Sequence, residues 1–144
     1  SKGGNQLYLV NYHNAPNITR EVGRLREVAF RDAGGGTGKA LDLDDYDTSD
    51  HPYDQLIVWD PEEQEIMAGY RLLTCRLGER DEEGVLKSAT SKLFKLSSQM
   101  LNDYLPKTIE LGRSFVQPKY QRNAPRKGIF AMDNLWDGLA AVMT

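Results

Sequence analysis

Two strand-like stretches of this chain carry charges in their middles, and nothing else in the sequence restricts the fold as much. Met67-Ala-Gly-Tyr-Arg-Leu-Leu73 is apolar around Arg71, and Ile109-Glu-Leu-Gly-Arg-Ser-Phe-Val116 contains both Glu110 and Arg113. Arg26 lies one residue past the apolar stripe Val22, Leu25, Ala29, Phe30 of a helical segment, near the core boundary. A charge removed from water has to be paired and hydrogen-bonded. One such residue fits on a solvated face; four predict a shared polar network. Partners are on offer in Asp42-Leu-Asp-Asp-Tyr-Asp47. There a two-residue period sets Asp42, Asp44 and Tyr46 against Leu43, Asp45 and Asp47 and aims one set of carboxylates into one space. Patterning alone leaves open whether such a network fixes core geometry or serves catalysis.

The rest of the chain is ordinary for one globular domain. It has 144 residues, 40% of them hydrophobic and 27% charged, enough for one core but not two. No apolar run approaches the ~20 residues that span a bilayer, and nothing at the start reads as a signal peptide. Ser1-Lys-Gly-Gly-Asn5 reads as a frayed terminus. Cys75 is the only cysteine, so no intrachain disulfide or thiolate cluster forms, and a reducing cytoplasm is the simplest home. A net charge of −3 argues against general nucleic-acid binding, which rests on neutralising phosphates.

Periodicity predicts the order β-α-β-β-α-β-α. Leu7–Tyr12 is β-prone, Pro16 stops it, and Asn17 or Thr19 can cap a helix over 19–32. A glycine-rich loop follows at 33–39, then the acidic stretch, whose default reading is a solvated loop. Gln55–Asp60 and Glu65–Cys75 form a hairpin around the turn 61–64. Asp81–Gly84 is a surface loop. A helix is expected over 89–105 with Leu93, Leu96, Met100, Leu101 and Tyr104 on one side, and a strand over 108–117. The last helix, 128–143, should pack a stripe of Met132, Leu135, Trp136, Leu139, Val142 and Met143 on the sheet. The fold class is α/β (α+β), a mostly antiparallel sheet flanked by helices, with 55–60, 65–75 and 108–117 as neighbouring strands.

Two tempting motifs fail on spacing. Gly34-Gly-Gly-Thr-Gly-Lys39 is not a P-loop, because Ala33 stands where its first glycine belongs and Ala40 replaces the magnesium-holding hydroxyl. An EF-hand started at Asp42 has Tyr46 at a ligand position, and one started at Asp45 has Leu56 where the bidentate glutamate belongs. His13, His51 and Cys75 have no metal-ligand spacing, so no metal is expected.

The segment Glu110–Gly128 holds the more specific signal. Alternation places Glu110, Gly112 and Ser114 on one face and Leu111, Arg113, Phe115 and Gln117 on the other. Gly112 in mid-strand predicts a bulge or a close backbone approach. After Pro118 come Lys119, Arg122, Arg126 and Lys127 with no interspersed acid, then Gly128 and a helix. Strand, cationic loop and helix start make an anion site, suited to phosphate or pyrophosphate.

Val116-Gln-Pro-Lys-Tyr-Gln-Arg122, followed by Gly128-Ile129, resembles the V-x-P-x-Y-R-x-x-G-x-G signature of the GNAT acyltransferases, with extra residues before the glycine. Arg26-Glu-Val-Ala-Phe30, Asp42–Asp47, Tyr70-Arg-Leu-Leu73 and Glu110-Leu-Gly-Arg113 follow the order and spacing of the acyl-homoserine lactone synthases. They are still more similar to the "hemolysin-like" N-acyltransferases of ornithine-lipid and glycine-lipid synthesis. Glycines where the lactone synthases carry a Trp, and Cys75 where their "RLLPT" ends, favour the lipid branch. The resemblance spans nearly the whole chain. Residues 1–144 then correspond to the N-terminal and central part of a GNAT-like domain; either the chain is a fragment, or the further strands and helix come from elsewhere.

The resemblance implies an N-acyltransferase that uses a (3-hydroxy)acyl thioester of acyl carrier protein phosphopantetheine, or acyl-CoA, with no tightly bound cofactor. The acceptor would be the amine of a small amino acid. Glu110 first, or Asp44, would act as base. Arg71 and Arg113 would hold the carboxylates and the acceptor's own carboxylate, and Arg26 and Asp47 would complete the catalytic set. Ser114, Phe115 and Val116 would line the thioester and supply amides to the oxyanion. Gln121, Arg122, Arg126, Lys127 and Gly128 would hold the donor. The four cations favour acyl carrier protein, an acidic partner that an acidic chain meets through a local positive patch. The expected location is cytoplasmic, with peripheral association at the inner face of the membrane. A lactone signal synthase and an inactive acyl-carrier-binding module remain the alternatives.

Overall fold

The computed structural model describes residues 4–122 and 125–143, so the terminus expected at 1–5 lies largely outside it. Four strands form one sheet in the order β1-β2-β3-β4: β1 (Gln6–Val10), β2 (Asp54–Asp60), β3 (Glu65–Thr74) and β4 (Ile109–Val116). Every neighbouring pair is antiparallel. The expected adjacency of the three later strands is therefore what the sheet shows.

Both faces of the sheet are covered, which explains why β2 and β3 read as near-continuous apolar runs. Helix α1 (Pro16–Asp32) closes one face, packing Val22 and Leu25 against Ile57, Ile66 and Phe115. Helix α5 (Pro125–Met143) closes the other, with Ala131 against Val58 and Met67, and Leu135, Leu139 and Val142 over Leu56, Tyr70 and Leu72. Each fully buried aliphatic side chain contributes about 1.5–3 kcal/mol relative to exposure. Gly128 and Gly138 allow α5 to sit close. A Cβ at Gly128 would lie 2.7 Å from the Tyr120 carbonyl oxygen, and one at Gly138 would lie 2.3 Å from Leu56 Cδ2.

The structure departs from the periodicity reading at several places. Pro16 does not simply end the strand; it opens α1 from the first turn, where its missing N–H is no loss. Thr19 is not a cap, and its hydroxyl instead donates to the Ala15 carbonyl. The acidic stretch is not a solvated loop. It folds into a one-turn helix, α2 (Asp45–Thr48), with Asp42 and Asp47 buried.

The helix expected over 89–105 is broken. It consists of α3 (Ala89–Leu93), an extended Phe94, a single π turn at Met100–Tyr104 and a 3₁₀ turn at Leu105–Lys107. Leu96, Leu101 and Leu105 pack around Cys75 and Leu86, and no continuous helix would serve that small cluster. The cationic loop is partly helical, as α4 (Pro118–Arg122). The stripe of α5 is rotated from expectation: Leu135, Leu139 and Val142 meet the sheet, whereas Met132 and Trp136 are 56% and 71% exposed.

Candidate active site

The acidic stretch turns inward by capping itself. Asp44 accepts the Tyr46 N–H at 3.0 Å, and Asp47 accepts the Asp44 N–H at 3.1 Å, a reciprocal capping box made of two aspartates. That turn delivers Asp47 into the space between α1 and the sheet. There Arg26 Nη1 donates to both Asp47 oxygens at 3.1 Å, Gln55 Nε2 donates at 2.8 Å, and Arg71 Nη1 donates at 3.1 Å. Arg26 Nη2 also donates to Gln55 Oε1 at 2.6 Å. Arg71 bridges onward to Asp44 Oδ1 at 2.7 Å, and Arg113 Nη1 lies 2.9 Å from both oxygens of Asp42. Three arginines and three aspartates from four separate segments thus form one network.

Burial divides this network. Arg26 and Asp47 are 0% and 1% exposed, out of reach of a substrate as placed, and they act by holding Arg71 and Asp44. Asp44 and Arg113 keep about a third of their side chains exposed, at 34% and 35%. Burial works against the Asp44 charge, but the Arg71 hydrogen bond and charge outweigh it and hold the carboxyl below its ordinary range. Arg71 is likewise opposed by burial and stabilised as a cation by Asp44 and Asp47. Burial lowers Arg26, and the charge and hydrogen bonds of Asp47 work against that shift.

Glu110 stands beside this network. The Tyr53 hydroxyl donates to Glu110 Oε1 at 2.7 Å and accepts the Ala89 N–H at 2.9 Å. The Arg71 guanidinium lies 5.2 Å from the Tyr53 ring centroid and 5.7 Å from that of Tyr46. Burial, then the bond to Glu110, pushes the Tyr53 phenol well above its ordinary value, so it donates at neutral pH.

A bulge in β4 decides what faces what. Gly69 pairs with Phe115 and Arg71 with Gly112, so Arg113 and Ser114 together stand opposite Tyr70. Arg113 takes φ +53°, while Gly112 keeps an ordinary φ. The expected alternation is therefore overturned beyond Gly112. Glu110, Arg113 and Phe115 turn toward α1 and the acidic segment, and Leu111, Ser114 and Val116 turn toward α5. Without the extra residue Arg113 would point into the apolar side, which no carboxylate reaches.

The two sides of β4 differ chemically. Toward α5 runs an apolar hollow of about 450 Å³ lined by Ser114, Val116, Gln121, Gly128 and Met132. It continues into one of about 220 Å³ lined by Leu111, Trp136 and Leu139. Toward α1 lies a hollow of about 410 Å³ that Asp42 and Arg113 line together with Phe30, Ala33, Gly35, Gly36 and Thr37. The glycine-rich loop that walls it is tied to Glu27, which accepts from Thr37 N at 2.9 Å, Thr37 Oγ1 at 2.5 Å and Gly38 N at 3.1 Å. The Thr37 hydroxyl and amide bonds hold the Glu27 carboxyl at about 2.

The cationic segment is not the unpaired patch that its sequence suggests. Lys119 pairs with Glu65, Arg122 with Asp32, and Lys127 with Asp60 at 3.1 Å and Glu62 at 3.4 Å. These acids lie far away in sequence and come from the β2–β3 hairpin and the end of α1. Among the described residues Arg126 has no carboxylate partner, and its guanidinium lies 5.7 Å from the Phe130 ring centroid. Gln121 donates to the Val116 carbonyl at 2.8 Å and so fastens the end of β4. Phe115 is buried in the core, and Gly128 seats α5 against α4.

Sequence reasoning missed Tyr53, Gln55 and Glu27 as members of the site. Tyr53 and Gln55 flank the start of a strand and carry no local signal of their role. Glu27 follows Arg26 on α1 and could have been suspected as the carboxylate that caps the glycine loop. Among the described residues no cluster of His, Cys, Asp and Glu could hold a metal ion, and no helix is long and apolar enough to cross a membrane.

Residues 25–130 match the family model described as an acetyltransferase (GNAT) domain. The chain is 56% identical over 143 residues to a glycine N(alpha)-acyltransferase of Bacteroides thetaiotaomicron, covering 99% of this chain and 42% of that protein. It is 52% identical over 143 residues to a glycine N(alpha)-acyltransferase of Phocaeicola vulgatus, covering 99% of this chain and 44% of that one. The chain thus spans less than half the length of these curated relatives. No solved structure matches it significantly.

Proposed function

The chain belongs to the GNAT acyltransferase family, and from that premise we propose that it moves an acyl chain from a pantetheine thioester to the amine of a small amino acid. The acceptor named for the two relatives, glycine, is the acceptor proposed here. The observation that carries the reading is the two-sidedness of β4. An apolar hollow suited to an acyl chain and pantetheine lies on one side, and Glu110, Asp44 and Arg113 lie on the other. The donor is a carrier-protein or coenzyme A thioester, and the product is a precursor of the ornithine- and glycine-lipid class.

The acceptor ammonium gives up a proton to Glu110, directly or through water, with Asp44 as the second candidate. The amine nitrogen attacks the thioester carbon. β4 is an edge strand among the described residues, so some of its amides around Ser114–Val116 face away from β3 and can stabilise the oxyanion. Collapse breaks the carbon–sulfur bond, and the thiolate leaves and is protonated as the amide forms. Arg113, which lines the hollow toward α1, holds the acceptor carboxylate.

The test is the full polypeptide incubated with glycine and a 3-hydroxyacyl carrier thioester, with N-acylglycine read by mass spectrometry. Glu110→Gln should remove most turnover and leave the donor KM nearly unchanged. Wild-type-like turnover in that variant excludes Glu110 as base. No product from the wild type, with donor still bound, makes the chain a carrier-binding module instead.

A further inference from the structure

The connection between β3 and β4 sets apolar side chains in water where the sequence pattern calls for a buried helix. Leu93 and Phe94 are 76% and 65% exposed at the end of α3, where Phe94 turns extended with φ −132° and ψ 138°. The neighbouring leucines do not share this exposure. Leu96, Leu101 and Leu105 pack with Cys75 and Leu86 and fasten the segment to the domain. The pair therefore projects from an anchored base. Apolar side chains this exposed are free to insert into a soft surface.

The charges of the segment itself point to the partner, while Lys92 also lines a hollow with Asp44, Asp45 and Asp81. Residues 88–108 contain Lys92, Lys95 and Lys107 against one acid, Asp103, so the segment carries 3 − 1 = +2 in a chain of net −3. Lys92 and Lys95 flank the apolar pair directly. Lys87 pairs with Glu79, Lys119 with Glu65 and Lys127 with Asp60. Among the described residues Lys92, Lys95 and Lys107 form no ion pair. We propose that this connection anchors the protein to an anionic lipid bilayer, with Leu93 and Phe94 entering the interface and Lys92 and Lys95 meeting lipid phosphates. Apolar insertion and headgroup attraction reinforce each other in such anchors, and neither suffices alone. The surface stands on exposure and charge, not on acyl transfer, so its failure would leave the proposed reaction untouched.

The experiment is co-sedimentation of the full polypeptide with phosphatidylcholine vesicles, with and without phosphatidylglycerol, at low and physiological salt. The wild type should enrich on the anionic vesicles and weaken with salt. Each lysine near an anionic surface gives roughly a five-fold gain in partitioning, so Lys92→Glu with Lys95→Glu should lose at least about tenfold. Leu93→Ser with Phe94→Ser should release the protein to a similar extent. Both double variants should melt like the wild type, since the four side chains lie outside the core. Equal binding to neutral and anionic vesicles, or wild-type binding by either variant, overturns the proposal.

Discussion

Replacing Asp47 by Asn removes one charge and almost no volume from the most connected point of the network. Asp47 is 1% exposed and accepts from Arg26, Arg71, Gln55 and the Asp44 amide at 2.8–3.1 Å. The variant leaves two buried guanidinium groups short of a counter-charge and turns one acceptor into a donor facing them. Removing one partner of a buried pair costs about 3–5 kcal/mol, against a total stability of about 5–15 kcal/mol for a domain. With a urea m-value of about 2 kcal/mol/M, the midpoint should fall by about 1.5–2.5 M. Urea titration followed by the fluorescence of Trp59 and Trp136 reads this directly, and the m-value should hold. Arg24→Gln is the control. Arg24 and its partner Glu21 are 55% and 43% exposed, so the loss should be about 1 kcal/mol or less. A midpoint loss below about 0.5 M for Asp47→Asn would refute the view that this carboxylate holds the network together.

Glu27→Gln should lower the urea midpoint at neutral pH, and the difference should vanish in acid. The folded carboxyl sits at about 2, below the ordinary glutamate value, so its contribution is present above about pH 5 and fades as pH falls toward 2. Parallel midpoint curves of wild type and variant between pH 7 and 2 would contradict this. Gly128→Ala should destabilise by about 1–3 kcal/mol, because its Cβ would meet the Tyr120 carbonyl, a backbone atom. Gly138→Ala should cost less despite the shorter distance, because it meets the movable end of Leu56 and gains helix propensity; thermal melts of the two rank them. Arg126→Glu should raise the KM for an acyl carrier protein thioester far more than for a short acyl-pantetheine, and equal effects on both would make Arg126 a phosphate contact only.

The sequence by itself determined the main strands and the two long helices, though not α2 or the broken segment over 89–105, and it pointed to a shared charge network. Strands β2 to β4 and helices α1 and α5 follow from periodicities that neighbouring residues set locally. Arg71, Glu110 and Arg113 announced the network because charges inside apolar strands have few places to go. The cap that turns Asp47 inward is also local, but its consequence is not: the acidic run looked solvated because its partners, Arg26, Arg71 and Arg113, come from elsewhere in the chain. Tertiary structure alone decided which charges meet. Arg122 finds Asp32 and Lys127 finds Asp60 across 90 and 67 residues, which no pattern within the segment can encode. It also decided the faces of β4. One bulged residue, Arg113 at φ +53°, reverses the alternation and delivers its guanidinium to Asp42 instead of the apolar hollow. In a strand of period two, a single insertion moves every later side chain to the opposite face, and only packing against α1 and α5 says where that insertion falls.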